Sequence, residues 1–186
     1  MNCTQCDSKV CRTGNSCSKE KFDIENIQEQ FHSPDNQRII QAAAQLVDDG
    51  KAGTLSRLEE IIEFIKLMQY QKIGLAYCYG MESDALIVHE IFKKEGIKMQ
   101  TVSCSVGGVL QNAINQKSCI HKVSCNPIGQ ANQLNSEKVD FVIIMGICLG
   151  HDILLQRNLK VDFTTFIVKD RVNKNNPSIS IHSYKG

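Results

Sequence analysis

Apolar positions along this chain fall into two regimes. Between residues 34 and 70 they recur at three- and four-residue spacing, the signature of amphipathic helices. Ser33-Pro34-Asp35 supplies a cap and a first-turn proline, and Ile39, Ile40, Ala43, Ala44 and Val47 follow as a stripe that Gly50 and Gly53 end. Thr54 or Ser56 opens a second helix, with Leu55, Leu58, Ile62, Ile65 and Met68 as its apolar face. From Lys72 the pattern becomes short apolar runs that alternate with helical stretches. Residues 72–79 read as a buried strand and residues 82–94 as a helix, through Ala85, Val88, Ile91 and Phe92, stopped by Gly96. Residues 97–104 form a second strand, and Asn126-Pro127 opens a helix that runs to about Lys138. Residues 139–145 are apolar on both faces, as a central parallel strand should be. A glycine-framed turn over 146–150 leads to a short helix from Asp152, and residues 163–168 are a fourth strand.

Strand–helix alternation of this kind predicts an α/β domain. The expected architecture is three-layered and Rossmann-like, a mostly parallel sheet of about four or five strands with helices on both faces. The first and third strands are expected side by side at the switch point. Residues 1–20 hold too few apolar side chains for a core of their own, so the division expected is a cysteine-rich knuckle over 1–20 and an α/β domain over 21–186 that includes the helical pair.

Composition narrows the function classes. With 21 lysines and arginines against 20 acids the net charge is +1, which supplies no electrostatic attraction to nucleic acid or an acidic membrane. The longest apolar run, residues 141–149, is about half of what a spanning helix needs. Polar residues and cysteines stand where a signal peptide would carry its apolar segment, so a cytosolic protein is expected. Nine cysteines and no tryptophan are present. An odd count in a reducing compartment does not fit a closed disulfide framework and points to metal ligation or thiol chemistry.

The cysteines fall into two groups. Cys3, Cys6, Cys11 and Cys17 stand as C-x2-C-x4-C-x5-C, four thiolates close enough in sequence for a tetrahedral zinc site or a four-cysteine iron–sulfur cluster. Lys9, Arg12 and Lys19 lend some charge, but no aromatic residue lies among the four, as a nucleic-acid knuckle would require. The second group is distributed: Cys78, Cys104 and Cys148 follow the ends of three strands, which in a parallel sheet emerge on the ligand-binding edge. Cys125 precedes the Asn-Pro helix start, where the helix dipole favours thiolate. His151, Asp152, Lys169, Asp170 and Arg171 belong near the same edge, and Cys119 with His121 forms a spare C-x-H pair.

The segments GLAYCYG (74–80), CSVGG (104–108), CNPIGQA (125–131), GICLGHD (146–152) and KDRV (169–172), with Leu134-Asn135, resemble a prokaryotic family of cysteine-rich proteins, domain of unknown function 1847, regarded as metal-binding. The resemblance spans nearly the whole chain and implies metal ligation by Cys3, Cys6, Cys11 and Cys17 and by Cys78, Cys104, Cys125 and Cys148. After KDRV the family often carries His-Asn-Pro where this chain has Asn175-Asn176-Pro177, which removes a histidine from consideration there.

Three functions are compatible with these residues. The first is a zinc or iron–sulfur protein with a redox or electron-transfer role towards a redox partner or small molecule. The second is a thiol enzyme with Cys125 or Cys148 as nucleophile, His151 as base and Asp152 or Asp170 as its orienter. The third is a ligand-sensing regulatory module with structural zinc. No G-x-G-x-x-G or P-loop is present, so nucleotide binding is not expected.

Overall fold

The computed structural model describes residues 2–17, 23–48 and 52–184. They form two compact units, Met1–Ala52 and Gly53–Gly186. The division falls after the first predicted helix; Gly50 and the expected boundary between residues 20 and 21 lie outside the described residues.

In the first unit two single-turn segments, Cys3–Gln5 and Val10–Thr13, carry no buried residue. Helix α1 (Ile24–Phe31) lies in a stretch whose polarity hid it. Ile24, Ile27 and Phe31 nevertheless fall on one stripe, and the Asp23 carboxylate accepts the N–H groups of Glu25 and Asn26 as its cap. Helix α2 (Pro34–Val47) starts where the sequence signals it should, capped by Ser33 with Pro34 in its first turn.

The second unit opens with α3 (Arg57–Met68). Ser56 is its cap: Glu59 N–H donates to the Ser56 hydroxyl while the Glu59 carboxylate takes Ser56 N–H, so two otherwise orphaned donors are satisfied together. Four parallel strands follow, β1 (Lys72–Tyr77), β2 (Lys98–Ser103), β3 (Phe141–Met145) and β4 (Asp162–Ile167), in the order β2-β1-β3-β4. The switch point therefore lies between β1 and β3, as expected. Helix α4 (Glu82–Lys94) joins β1 to β2. A short helix, α5 (Gln111–Ile114), and then α6 (Pro127–Ser136) lie between β2 and β3; α7 (Leu149–Asn158) joins β3 to β4, and α8 (Ser178–Ser183) closes the chain. No helix among the described residues is long and apolar enough to cross a membrane.

Period-two alternation assigns each strand residue to a face. Ile73, Leu75, Phe141, Ile143 and Met145 bury against α3 and α4 through Ile61, Ile62, Ile65, Ala85, Val88 and Phe92. Ala76, Val102, Val142 and Ile144 bury against α6 and α7 through Ala131, Leu134 and Leu155. That second interface is tight: a Cβ on Gly74 would come within 2.8 Å of Leu134 Cδ2, so this strand position must be glycine if α6 is to seat.

Candidate functional site

The alternation that builds the core also places the thiols. Cys78 continues the Gly74–Ala76 face of β1 and Cys104 the Val102 face of β2, so both enter the layer that α6 and α7 cover, and both are buried. Backbone bonds extend the sheet past the strand ends to fix them: Cys78 N–H donates to Met145 O at 3.1 Å and Cys104 N–H to Tyr77 O at 2.9 Å. Cys125 precedes the α6 cap, Asn126, and is half-buried. Asn126 N–H donates to Cys104 O at 2.6 Å, which brings the two cysteine segments side by side. Cys125 Sγ then lies 3.4 Å from Cys104 Sγ, with Tyr79 N–H directed at Cys104 Sγ from 3.3 Å.

Cys148 is the cap residue of α7, which begins at Leu149 rather than at Asp152. The earlier start follows from the cysteine's extended backbone and the lack of any breaker at 149–151 other than Gly150, which tolerates the first turn. Arg171, exposed in the turn after β4, reaches across to donate from its guanidinium to Cys148 Sγ at 2.9 Å. The charges of Cys148, Cys78 and Cys125 all raise the Arg171 pKa above its ordinary value, the hydrogen bond to Cys148 being the largest cause. Three of the four thiols and one guanidinium thus share one electrostatic environment at the C-terminal edge of the sheet.

The other residues expected at this edge have different partners. Asp170 accepts Val172 N–H, Asn173 N–H and the Asn173 side-chain amide, and these bonds, led by the side-chain one, hold its carboxyl below the usual range; it anchors its own turn. Asn175, where a histidine was expected in the family, accepts Asp170 N–H at 3.1 Å and points its amide nitrogen at Met81 Sδ, so it braces the same turn. Asp152 accepts from Gln156, four residues along α7. His151 is half-buried, with Nδ1 lacking a partner among the described residues, and it bonds neither Cys125 nor Cys148. Lys169 is half-buried, and Cys119 and His121 are exposed.

Burial is the main force on Cys104. It pushes the thiol from its ordinary 9.0 to about 12, with the neighbouring Cys125 and Cys78 adding to the rise and Tyr79 N–H opposing it. Between those two values the unfolded chain releases this proton and the folded chain keeps it. Stability contributed by the buried thiol is complete below about pH 9 and is lost as pH rises from there towards about 12. Denaturant unfolding across alkaline pH should show this slope, and Cys104→Ala should flatten it; an unchanged slope would mean the thiol is solvated.

In the N-terminal unit, Cys3, Cys6, Cys11 and Cys17 line a single open hollow of about 260 Å³, together with Asn2, Lys9 and Arg12. Lys9 takes a left-handed backbone (φ 43°), turning the chain so that its N–H, the Ser8 hydroxyl and Ser8 N–H converge on Cys6 and lower its pKa, the Lys9 amide most. Amide donors trained on a sulfur stabilise the thiolate that a metal requires. No three cysteine, histidine, aspartate or glutamate side chains among the described residues already stand in metal-binding geometry, in either group. The donor chemistry of the N-terminal hollow still fits a thiophilic ion: four sulfurs, no disulfide among the nine cysteines, and two amides oriented on one of them.

The model of a family described as "Protein of unknown function (DUF1847)" matches residues 11–166. The chain belongs to that family. An uncharacterised protein of Methanocaldococcus jannaschii, MJ0455, is 41% identical over 187 residues, covering 98% of this chain and 94% of the relative. The DUF1847 match takes in Cys11 and Cys17 and all four sheet-edge cysteines, while Cys3 and Cys6 precede it. Of the segments that carry the likeness, 74–80 covers the end of β1, 104–108 and 146–152 follow directly on β2 and β3, and 125–131 opens α6, so they converge on the thiol-bearing edge.

Gln130, within the CNPIGQA segment of this family, went unassigned in the sequence. Its side chain is fully buried and its Nε2 donates to Val102 O at 2.8 Å and Tyr77 O at 3.1 Å, stitching the ends of β1 and β2 beneath the two cysteines. A signal was present: Pro127, Gln130, Ala131 and Leu134 form one helical stripe, and a glutamine on a buried stripe needs polar partners.

Proposed function

We propose that this protein is a cysteine-ligated metal protein of the cytosol in which a separate set of thiols, on the edge of the α/β sheet, performs redox chemistry. Cys3, Cys6, Cys11 and Cys17 hold the metal, as one zinc ion or one iron–sulfur cluster. The observation that carries this reading is that all four line one hollow while amide donors favour the thiolate of Cys6. When bound, the metal supplies the cross-link that a segment without buried side chains cannot supply for itself. Lys9 and Arg12 on the rim offset the negative charge of four thiolates.

Metal and acid-labile sulfide are to be measured on protein purified without oxygen. About one zinc without sulfide makes the N-terminal group a structural staple; iron with matching sulfide makes it a cluster and moves the function towards electron transfer. Cys6→Ala should reduce the content severalfold or more. Protein that takes up neither zinc nor iron and sulfide on reconstitution overturns the proposal.

At the sheet edge two readings compete, a second metal centre and a thiol centre. The contact of Cys125 with Cys104, and the engagement of Cys148 by Arg171 instead of by its fellow cysteines, favour the thiol centre. Within it Cys125 is the better placed nucleophile, and His151 bonds neither candidate thiol.

A further inference from the structure

We propose that Cys125 and Cys104 act as a dithiol that reduces a disulfide substrate, Cys125 attacking and Cys104 resolving. The proposal deepens the thiol reading of the sheet edge and is independent of the metal at the N-terminal group.

Accessibility assigns the roles. Cys104 is 2% exposed, so no substrate sulfur reaches it directly, whereas Cys125 is half-buried at the opening of α6. Proximity makes the second step intramolecular: the sulfurs are 3.4 Å apart, and the Asn126–Cys104 backbone bond holds their segments in register. Side-chain rotation must close that gap to the about 2.05 Å of a disulfide. Neither neighbour competes equally, since Cys78 is buried and has no contact with Cys125 Sγ like that of Cys104, and Cys148 is drawn to Arg171. Tyr79 N–H, directed at Cys104 Sγ, is placed to stabilise that sulfur when it leaves as thiolate during re-reduction.

The chemistry balances as thiol–disulfide exchange. The Cys125 thiolate attacks one sulfur of R–S–S–R, the substrate S–S bond breaks, and R–S⁻ departs to take up a proton. Cys104 gives up its proton, which balances the one taken by the first R–S⁻, and attacks Cys125 Sγ in the mixed disulfide, expelling the second R–S⁻, which is protonated by water. The protein dithiol is oxidised by two electrons, the substrate is reduced to two thiols, and a dithiol reductant returns the protein to its starting state.

Peptide mapping tests this directly, because trypsin sites at Lys98, Lys117, Lys122 and Lys138 place Cys104, Cys119 and Cys125 in separate peptides, 99–117, 118–122 and 123–138. Full-length, metal-loaded protein is treated with oxidised glutathione, quenched by alkylation and digested. The expected product is a cross-link between 99–117 and 123–138. Cys104→Ser should abolish the cross-link and trap glutathione on 123–138, while Cys125→Ser should leave 99–117 free of both modifications. Circular dichroism confirms that each variant is folded. A glutathione adduct that persists on Cys125 of the unaltered chain overturns the proposal, as does pairing of Cys125 with Cys119 or Cys148. Metal content read on the same samples reports separately on the N-terminal site.

Discussion

Gln130→Ala is expected to destabilise the second unit by roughly 3–5 kcal/mol, read as a fall in the denaturant midpoint at unchanged slope. Two effects combine. The substitution empties space beside Ala131 and Leu134 in a layer where Gln130 is fully buried. It also strips the side-chain amide from Val102 O and Tyr77 O, both of which lie in the β1–β2 pairing, where Tyr77 O also accepts Cys104 N–H. Since both partners are carbonyl oxygens, the side-chain nitrogen must be the atom that faces them. Gln130→Leu restores most of the volume without the donors, so it should recover part of the loss, and the remainder measures the two hydrogen bonds less the cost of burying Gln130 Oε1, which has no partner among the described residues. Gln130→Glu should be the most damaging, because an ionised carboxylate would face two carbonyls in a dry layer. If Gln130→Ala proved neutral, the stitch between β1 and β2 would carry no weight, and the geometry of Cys78 and Cys104 would have to rest on the strand register alone.

Sheet topology was legible because each of its elements announces itself locally. Residues 139–145 could only be a strand buried on both faces, and β3 does stand inside the sheet, next to β1. The capping residues Ser33 and Ser56 sit where the sequence marks them. The site was legible to the level of elements and no further. That Cys78, Cys104, Cys125 and Cys148 meet at one edge follows from parallel strands. Which sulfur touches which depends on the path of residues 105–124 and on the turn after β4, and neither has a periodic pattern. Arg171 therefore stood on equal terms with Lys169 and Asp170 in the sequence, although it alone of the three bonds a thiol of the group. His151 shows the converse. Adjacency to Cys148 in sequence suggests a base, but once α7 starts at Leu149 the two lie in its capping turn, and no hydrogen bond joins them.

Gly146→Ala is expected to cost roughly 2–4 kcal/mol, the sum of a left-handed backbone imposed on alanine and a steric conflict in a filled core. Gly146 ends β3 with φ of +64°, and its N–H donates to Ile167 O at 2.7 Å, so the residue is tied to β4 and cannot relax its backbone cheaply. An added Cβ would collide with Met81 Sδ, which is buried in the layer beneath α3 and α4. The methionine cannot yield without consequence, because Asn175 points at the same sulfur and also holds Asp170 N–H, the start of the turn that carries Arg171. Displacing Met81 should therefore disturb the Arg171–Cys148 contact as well as the core. Met81→Ala in the Gly146→Ala background separates the two effects: it removes the collision but leaves the φ penalty. Measured against Met81→Ala alone, the Gly146→Ala change should cost less than it does in the unaltered chain if contact with Met81 is the larger cause. An equal cost in both backgrounds would assign the loss to the backbone, and full stability in Gly146→Ala alone would mean that β3 ends in a different conformation.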